Sequence, residues 1–365
     1  MKKVLALVLA LVMVFALCAC GQTATTTTTT TTTDSSASTD TAAATTSKGG
    51  TETVKIICPY GAGGVADAVG RKFAEVANSI QTDYNFIVEN MTGGDGFVAN
   101  EYFAAEDPME HDLIVFGYGA CYRHDLGKTY GTEEVNWDRT LTYPLGTIDD
   151  RVWVLYGTPD ETLADVIAKA QAGDLKMSGG NPLSDPHLVF GSLLAQLGGT
   201  VTCVPYDGGA EQKAGLVNGE VDVFVGAAQA GLSEVEAGTL VPLLAFTDTE
   251  FTGFKDASGN TISVPTIAGD AKSADLPADM DFTSSIMPGG GSLASHVNGD
   301  ADFQAAMVEI IKNVWATDEF SSWIAESGLN HFECYAPDLA DFYNTACEKS
   351  LAAYDMLKAA QDAAK

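Results

Sequence analysis

The chain has 365 residues, of which 49 are Asp or Glu and 19 are Lys or Arg, so its formal net charge is −30. This length is sufficient for two domains with large cores. Because binding to a phosphate backbone requires clustered Lys and Arg, the acidity argues against nucleic acid as a partner and is better explained by solubility. An anionic ligand must be held by local donors, against an unfavourable overall field.

The N-terminus has the pattern of a bacterial export signal. Two lysines precede an apolar run over residues 4–17, which is too short to span a membrane as a helix, and Leu17-Cys-Ala-Cys20 follows. This ending resembles a lipobox, so we expect a signal peptide over residues 1–19 and a lipidated Cys20. Residues 20–50 then form a disordered, Thr-rich tether. We expect an extracytoplasmic protein, lipid-anchored to the bacterial cell membrane at the surface or in the periplasm.

Five cysteines remain in the expected folded body, namely Cys58, Cys121, Cys203, Cys334 and Cys347. Their number is odd, their spacing is wide, and no Cys-x-x-Cys pair occurs among them. This pattern favours small buried hydrophobic side chains over a metal site. A bridge between Cys334 and Cys347 stays open, since an oxidising compartment permits it.

Residues 54–80 have the pattern of a strand, a glycine loop and a helix. Val69, Phe73 and Val76 recur at helical spacing, so one face of the helix packs inward. Glycines in the preceding loop would leave backbone N–H groups accessible at the helix N-terminus, which attracts a carboxylate or phosphate. The same glycines would also serve a tight strand-to-helix turn, and the sequence leaves both interpretations open.

The next elements continue an alternation of strands and helices. A strand is predicted over 84–90, a helix over 97–105 and a strand over 111–116. Such alternation indicates a mainly parallel sheet, beyond whose carboxyl strand ends ligands gather. The loops at 60–67 and 117–122 both leave such ends, so we expect them to share one rim.

The alternation restarts near Tyr143-Pro144 and predicts a second α/β unit. Thr162 and Asp165 form a capping box pattern at the start of a helix. Strands are predicted over 151–156, 175–178, 201–205, 221–225 and 240–246, with helices between them that end near 172, 197 and 218. Residues 248–300 are turn-rich and are not placed by pattern. Apolar stripes over 303–314, 320–324 and 339–354 predict C-terminal helices.

Other motifs are weak. Gly61-Ala-Gly-Gly-Val-Ala66 fits a dinucleotide-binding pattern, and Glu89 ends the next strand, but export argues against access to a nicotinamide cofactor. No nucleophile elbow, His-Glu-x-x-His helix or Ser-x-x-Lys set occurs in the sequence. His124 and His187 lie near predicted loops, and Asp67 suits helix capping as well as a ligand. We therefore expect no enzyme activity, no cofactor and no metal.

Five motifs in order resemble one family. The segments are 58–71, 88–96, 178–187, 204–210 and 216–222. They are similar to signatures of the tripartite tricarboxylate transporter receptors, also called TctC or Bug solute-binding proteins. The second segment departs from the family, because Met91-Thr-Gly-Gly-Asp-Gly stands where Arg-Pro-Gly-Ala-Gly is usual, and the match fades after Phe246.

The resemblance implies an α/β fold of the two-domain, periplasmic-binding-protein-like type II. Each domain would be a mainly parallel sheet flanked by helices, with a hinge and C-terminal helices. Domain 1 would comprise residues 51–146 plus about 247–365, and domain 2 residues 147–246. The chain would cross between them near 145–148 and 244–247.

The resemblance also implies a receptor that captures a small carboxylate and delivers it, as a monomer, to permease subunits in the membrane. In the family, backbone amides and ordered waters grip the carboxylate with little help from charged side chains. Whether Arg123 pairs with a second carboxylate or is solvated stays open. A sensing module or surface enzyme on this fold is the alternative function, and an inert adhesive lipoprotein is a third. The implied binding residues are Tyr60, Gly61, Ala62, Gly63, Gly64, Val65, Asp67, Gly117, Tyr118, Gly119, Ala120, Gly179, Gly180, Asn181, Ser184, His187, Tyr206, Asp207, Gly208, Ala227 and Gln229.

Overall fold

A computed structural model describes residues 52–179, 182–206 and 209–363. The predicted signal peptide, the lipidation of Cys20 and the tether lie outside these ranges. Within them, no helix combines the length and the apolar character needed to cross a membrane.

Two five-stranded sheets form the framework. The first contains β1 (Glu52–Cys58), β2 (Tyr84–Asn90), β3 (Leu113–Gly117), β4 (Thr142–Arg151) and β12 (Gly289–His296), in the spatial order β2-β1-β3-β12-β4. The second contains β5 (Trp153–Gly157), β6 (Lys176–Gly179), β7 (Thr202–Pro205), β8 (Val223–Ala227) and β9 (Val241–Ala245), in the order β7-β6-β8-β5-β9. In each sheet the first three strands of that order are parallel, and the fourth runs antiparallel to its neighbours.

Helices cover the sheets, and a hairpin of β10 (Phe251–Lys255) and β11 (Thr261–Val264) is separate from both. The helices are α1 (Val65–Ile80), α2 (Phe97–Ala105), α3 (Tyr118–Tyr130), α4 (Leu163–Ala172), α5 (Asp185–Gln196), α6 (Gly209–Val217), α7 (Leu232–Glu236), α8 (Ala301–Trp315), α9 (Asp318–Glu326) and α10 (Asp338–Ala363). We call the first sheet with α1, α2, α3, α8 and α9 lobe 1. The second sheet with α4 to α7 and residues 247–288 is lobe 2.

Local sequence explains the elements that border the cleft. The predicted face of α1, including Val69, Phe73 and Val76, is buried against the first sheet. The capping box predicted at Thr162 and Asp165 is confirmed, since each accepts a bond from the backbone of the other. The two-lobed α/β architecture with C-terminal helices agrees with the type II fold expected from the sequence.

The crossings between the lobes lie elsewhere than predicted. Residues 145–148 are inside β4, and the chain passes to the second sheet only at Val152. It returns at Pro288, immediately before β12. Residues 247–288, predicted to belong to domain 1, pack on lobe 2, because their apolar side chains are part of its hydrophobic clusters. These side chains include Phe251, Phe254, Val264, Ile267, Leu276, Phe282 and Met287.

The C-terminal helix α10 contacts both lobes, although it was predicted to belong to domain 1. Its first half packs Leu339 and Tyr343 into lobe 1, where the Tyr343 hydroxyl donates to the carbonyl of Phe116. Its second half packs Leu357 among the residues of lobe 2, directly against Gly191 of α5. The five described cysteines are free, so the Cys334–Cys347 bridge is not formed.

Candidate functional site

A cavity of about 220 Å³ lies between the lobes. Both lobes contribute to its wall, which consists of Tyr60, Ala66, Val115, Gly117, Gly119, Arg123, Arg151, Trp153, Gly179, Ser184, Asp185, Pro186, Gln212, Gly290 and Gly291. Five of the predicted binding residues are in this wall, namely Tyr60, Gly117, Gly119, Gly179 and Ser184. The loops at 60–67 and 117–122, which were expected to share one rim, both contribute to this wall.

Three helices begin at this cavity. The N-cap residues of α1, α3 and α5 are Gly64, Gly117 and Ser184, and none of them caps its helix with a side-chain hydrogen bond. The first N–H groups of a helix have no partner within the helix, and the macrodipole adds a partial positive charge there. The three helix ends together favour a negatively charged group in the cavity.

Asp67 is buried in a network that holds the first glycine loop. Its carboxylate accepts from the backbone of Gly63 at 2.9 Å, from Arg71 Nε at 3.1 Å and from Asn90 Nδ2 at 2.7 Å. Burial alone would raise the pKa of Asp67, but the bonds from Arg71, Gly63 and Asn90 outweigh it and lower the pKa. Asp67 is not part of the cavity wall, and these contacts hold the glycine loop before α1 rather than the first N–H groups of that helix.

Other predicted binding residues also lie outside the wall. They are Gly61, Ala62, Gly63, Gly64, Val65, Tyr118, Ala120, His187, Tyr206, Ala227 and Gln229. Tyr118 is fully buried and packs on Phe342 and Tyr343. His187 is buried and its Nδ1 donates to the carbonyl of Pro182, while burial lowers its pKa. Gly180, Asn181, Asp207 and Gly208 lie outside the described residues.

Arg151 is the main residue that the sequence analysis missed. It ends β4, and its Nε donates to Asp149 Oδ2 at 2.6 Å, while Asp149 is fully buried. Within the described part of the chain, Asp149 is the only acceptor for the Arg151 side chain. Burial alone would lower the pKa of Arg151, but the charge of Asp149 outweighs it and raises the pKa. The guanidinium stays charged, and its Nη groups remain available as a fork for a carboxylate.

Two further polar atoms at the wall have no hydrogen-bond partner among the described residues. Trp153 Nε1 is one of them, and this residue is only 8% exposed. Ser184 Oγ, at the N-terminus of α5, is the other. Buried polar groups are normally hydrogen-bonded, so atoms of this kind at a cavity mark positions for a polar ligand or water.

Arg123 was expected either to pair with a second carboxylate of the ligand or to be solvated, and its environment in the structure is a third one. Its side chain is 5% exposed and forms a paired contact with Glu133, at 3.0 and 2.6 Å. The guanidinium also lies 4.5 Å from the centre of the Phe97 ring. Arg123 is therefore a buried part of the wall whose charge is balanced by Glu133, rather than a solvated residue.

The described residues contain no group of three His, Cys, Asp or Glu side chains arranged to hold a metal ion. The polar groups of the wall are instead hydrogen-bond donors from helix ends, Arg151 and Trp153, with the carboxylate of Asp185 beside them. Such an arrangement can bind and orient a small polar molecule.

No family model matches the sequence, and no curated protein matches it significantly. Solved structures do match the fold. The R. palustris protein Rpa4515 with adipate has a TM-score of 0.67 at 18% identity, covering 84% of this chain and 98% of that one. MatC from Rhodopseudomonas palustris with bound malate has a TM-score of 0.62 at 16% identity, covering 84% and 99%. A TctC solute-binding protein from Polaromonas has a TM-score of 0.61 at 16% identity, covering 84% and 98%. This chain therefore has the two-lobed fold of the TctC and Bug families of periplasmic solute-binding proteins.

Proposed function

We propose that this protein is an extracytoplasmic, lipid-anchored receptor that captures a small carboxylate between its lobes. It delivers this ligand, a di- or tricarboxylate or a related organic acid, to a tripartite tricarboxylate-type permease and catalyses no reaction. The observation that carries the proposal is the meeting of three uncapped helix N-termini and the Arg151 guanidinium at one cavity. Both kinds of donor favour a carboxylate at contact range.

The size of the cavity supports a small ligand. Its volume of about 220 Å³ is below the range of about 300–1,000 Å³ that is typical of pockets for drug-sized molecules. Two of the structures with this fold hold adipate and malate, which are small dicarboxylates. Donors at contact range also explain how a chain with a formal net charge of −30 can bind an anion.

The N-terminal sequence supports the membrane anchor. Its apolar run and the Cys20 motif fit export followed by lipidation. Replacement of Cys20 by Ala is expected to move the protein from the membrane fraction of cells to the soluble fraction. A Cys20→Ala protein that stays with the membrane would count against the lipid anchor.

Ligand capture is tested by thermal unfolding of the chain from Gly21 onward in the presence of mono-, di- and tricarboxylates. A ligand at a hundredfold excess over its Kd stabilises the folded protein by about 2.7 kcal/mol, which raises Tm. Gly119→Val places a branched side chain at the N-terminus of α3 in the cavity wall and is expected to abolish the shift. Ala172→Val is the control, since this exposed position is not in the wall. Unchanged Tm values across the panel, with ligand-free protein, would refute carboxylate capture.

A further inference from the structure

Two buried cysteines outside the cavity wall lie in one apolar cluster. Cys121 is in the first turn of α3, and Cys347 is on the buried face of α10. Each is 1% exposed, and both belong to the cluster of lobe 1 in which α3 and α10 pack together. Both thiols are free in this structure. The pair is therefore a candidate for a covalent bond between the two helices.

The register of α3 against α10 places the two cysteines at the same level. Near the start of α3, Tyr118 packs on Tyr343, with ring centres 4.6 Å apart. At the end of α3, the Tyr130 hydroxyl donates to Asp355 at 2.8 Å. Both contacts join residues with the same separation along the chain, so the helices run side by side in one direction with equal steps. Each cysteine follows the tyrosine of the first contact within about one turn, by three residues on α3 and by four on α10.

The thiol groups also interact with each other. The Cys121 thiol is the largest cause of a raised pKa at Cys347, and burial is the second cause. A polar contact ties the same helices together beside the cysteines, because Arg139 donates both to Asp125 of α3 and to Asn344 of α10. This contact limits how far the helices can separate. Two cysteines held at one level in this way meet the main requirement for a disulfide, which is proximity without backbone movement.

We propose that Cys121 and Cys347 form a disulfide bond in the exported protein. The site is separate from the cleft, and only its compartment rests on the proposed function, because exported chains meet an oxidising environment. The chain between the two cysteines includes all of lobe 2, residues 152–288. The bond fixes the first half of α10 to lobe 1, whereas the second half is held on lobe 2 by the packing of Leu357.

The bond forms by exchange with a donor disulfide, such as oxidised glutathione or the disulfide of an oxidoreductase. Cys121 loses its proton and attacks one donor sulfur, which gives a mixed disulfide and releases the other donor sulfur as a thiolate. Cys347 then loses its proton and attacks the sulfur of Cys121, so that the second donor thiolate leaves. The donor accepts two electrons, and the two protons end on its two thiolates. Because both thiols are buried in the folded protein, the exchange precedes the docking of α10 on α3.

Oxidative refolding tests the pairing without any variant. The protein isolated from cells is reduced in urea, refolded with reduced and oxidised glutathione, and alkylated at its remaining thiols before peptide mapping by mass spectrometry. The expected result is one predominant linked pair of peptides, containing Cys121 and Cys347, that separates on reduction. Alkylation of both residues, or predominant pairing of either with Cys334, which packs against the same cluster, would overturn the inference. Since refolding needs neither ligand nor permease, this outcome is independent of the proposed function.

Variants measure what the bond contributes. Refolding with a reductant, compared with oxidative refolding, is expected to lower Tm of the wild type by about 5 °C or more, because a disulfide that closes a long loop restricts the unfolded chain. Cys347→Ser is expected to lose this response, and Cys334→Ser, the matched control, to keep it. Cys121→Ser is measured alongside, so that poor folding of one variant leaves the other. A response of these two variants equal to that of the wild type would overturn the inference, and if neither folds, peptide mapping of the wild type decides.

Discussion

Asp150 provides a prediction that depends on the crossing between the lobes rather than on the ligand. It is the penultimate residue of β4, next to Arg151, and Asn330 Nδ2 donates to its carboxylate at 3.1 Å. Burial raises the pKa of Asp150 to about 6, the charge of Asp149 adds to this effect, and Asn330 and Arg151 oppose it. Its ordinary value is 3.8. The folded protein therefore holds a proton on Asp150 more firmly than the unfolded chain does.

The sign of the effect on stability follows from this difference. Between about pH 4 and pH 6 the folded state binds more protons at Asp150 than the unfolded state, so this residue makes stability fall as pH rises. Its contribution is fully present below the unfolded pKa and is lost as pH rises through about 6. At about 1.4 kcal/mol for each pKa unit, ionisation of Asp150 costs the folded state about 3 kcal/mol at neutral pH.

Asp150→Asn removes the charge and keeps an oxygen that can accept from Asn330. We expect the free energy of unfolding of the variant, relative to wild type, to increase by about 2 to 3 kcal/mol between about pH 4 and about pH 7.5. Urea unfolding at several pH values measures it, with Asp174→Asn as the control for loss of an exposed acid. A difference between variant and wild type that does not change with pH would refute the assignment of a raised pKa to Asp150.

Three further variants probe other parts of the fold. The pKa shift of Asp125 is opposite in sign to that of Asp150. Burial would raise the pKa, but bonds from His124 and Arg139 outweigh burial and lower the pKa of Asp125 to about 2. Asp125→Asn should therefore cost about 2 kcal/mol at neutral pH, a cost that disappears as pH falls towards 2, and a constant cost would contradict this. Leu357→Ala removes a buried contact between α10 and lobe 2 and should lower the free energy of unfolding by about 2–5 kcal/mol. An unchanged free energy of unfolding would contradict the docking of α10 on lobe 2. Gly291→Ala places a Cβ 2.7 Å from the carbonyl oxygen of Phe116 and should cost about 1–3 kcal/mol in urea unfolding; a neutral effect would contradict this close packing.

The sequence predicted the parts of the cleft that depend on local patterns. Glycines after β1 and β3 and before α5 mark places where a strand gives way to a helix, and this change of period is visible without a structure. Tyr60, Gly117, Gly119, Gly179 and Ser184 were implied as binding residues by the family resemblance of the segments around such glycines, and all five are in the cavity wall. Parallel topology then brings these strand ends to a common edge.

The missed residues depend on contacts between distant segments. Arg151 and Trp153 flank the crossing, whose position is fixed by pairing of β4 with β12, a strand far away along the chain. A signal was present, since Asp149, Asp150 and Arg151 interrupt an otherwise apolar stretch. Residues 247–288 were misplaced because their buried side chains come from a hairpin and loops, which have no regular period.

The three connections between the lobes bear on how the proposed receptor would close on a ligand. Besides the crossings at Val152 and Pro288, α10 is packed on lobe 1 through Tyr343 and on lobe 2 through Leu357. Domain closure is generally absorbed at a few residues that end elements, so a motion of one lobe against the other would be taken up near Val152 and Pro288 and limited by α10. Arg151 is next to that pivot, whereas Asp185 is carried by the other lobe on α5. On the proposed function, a carboxylate bound at Arg151 would therefore keep its place while the residues of α5 moved relative to it.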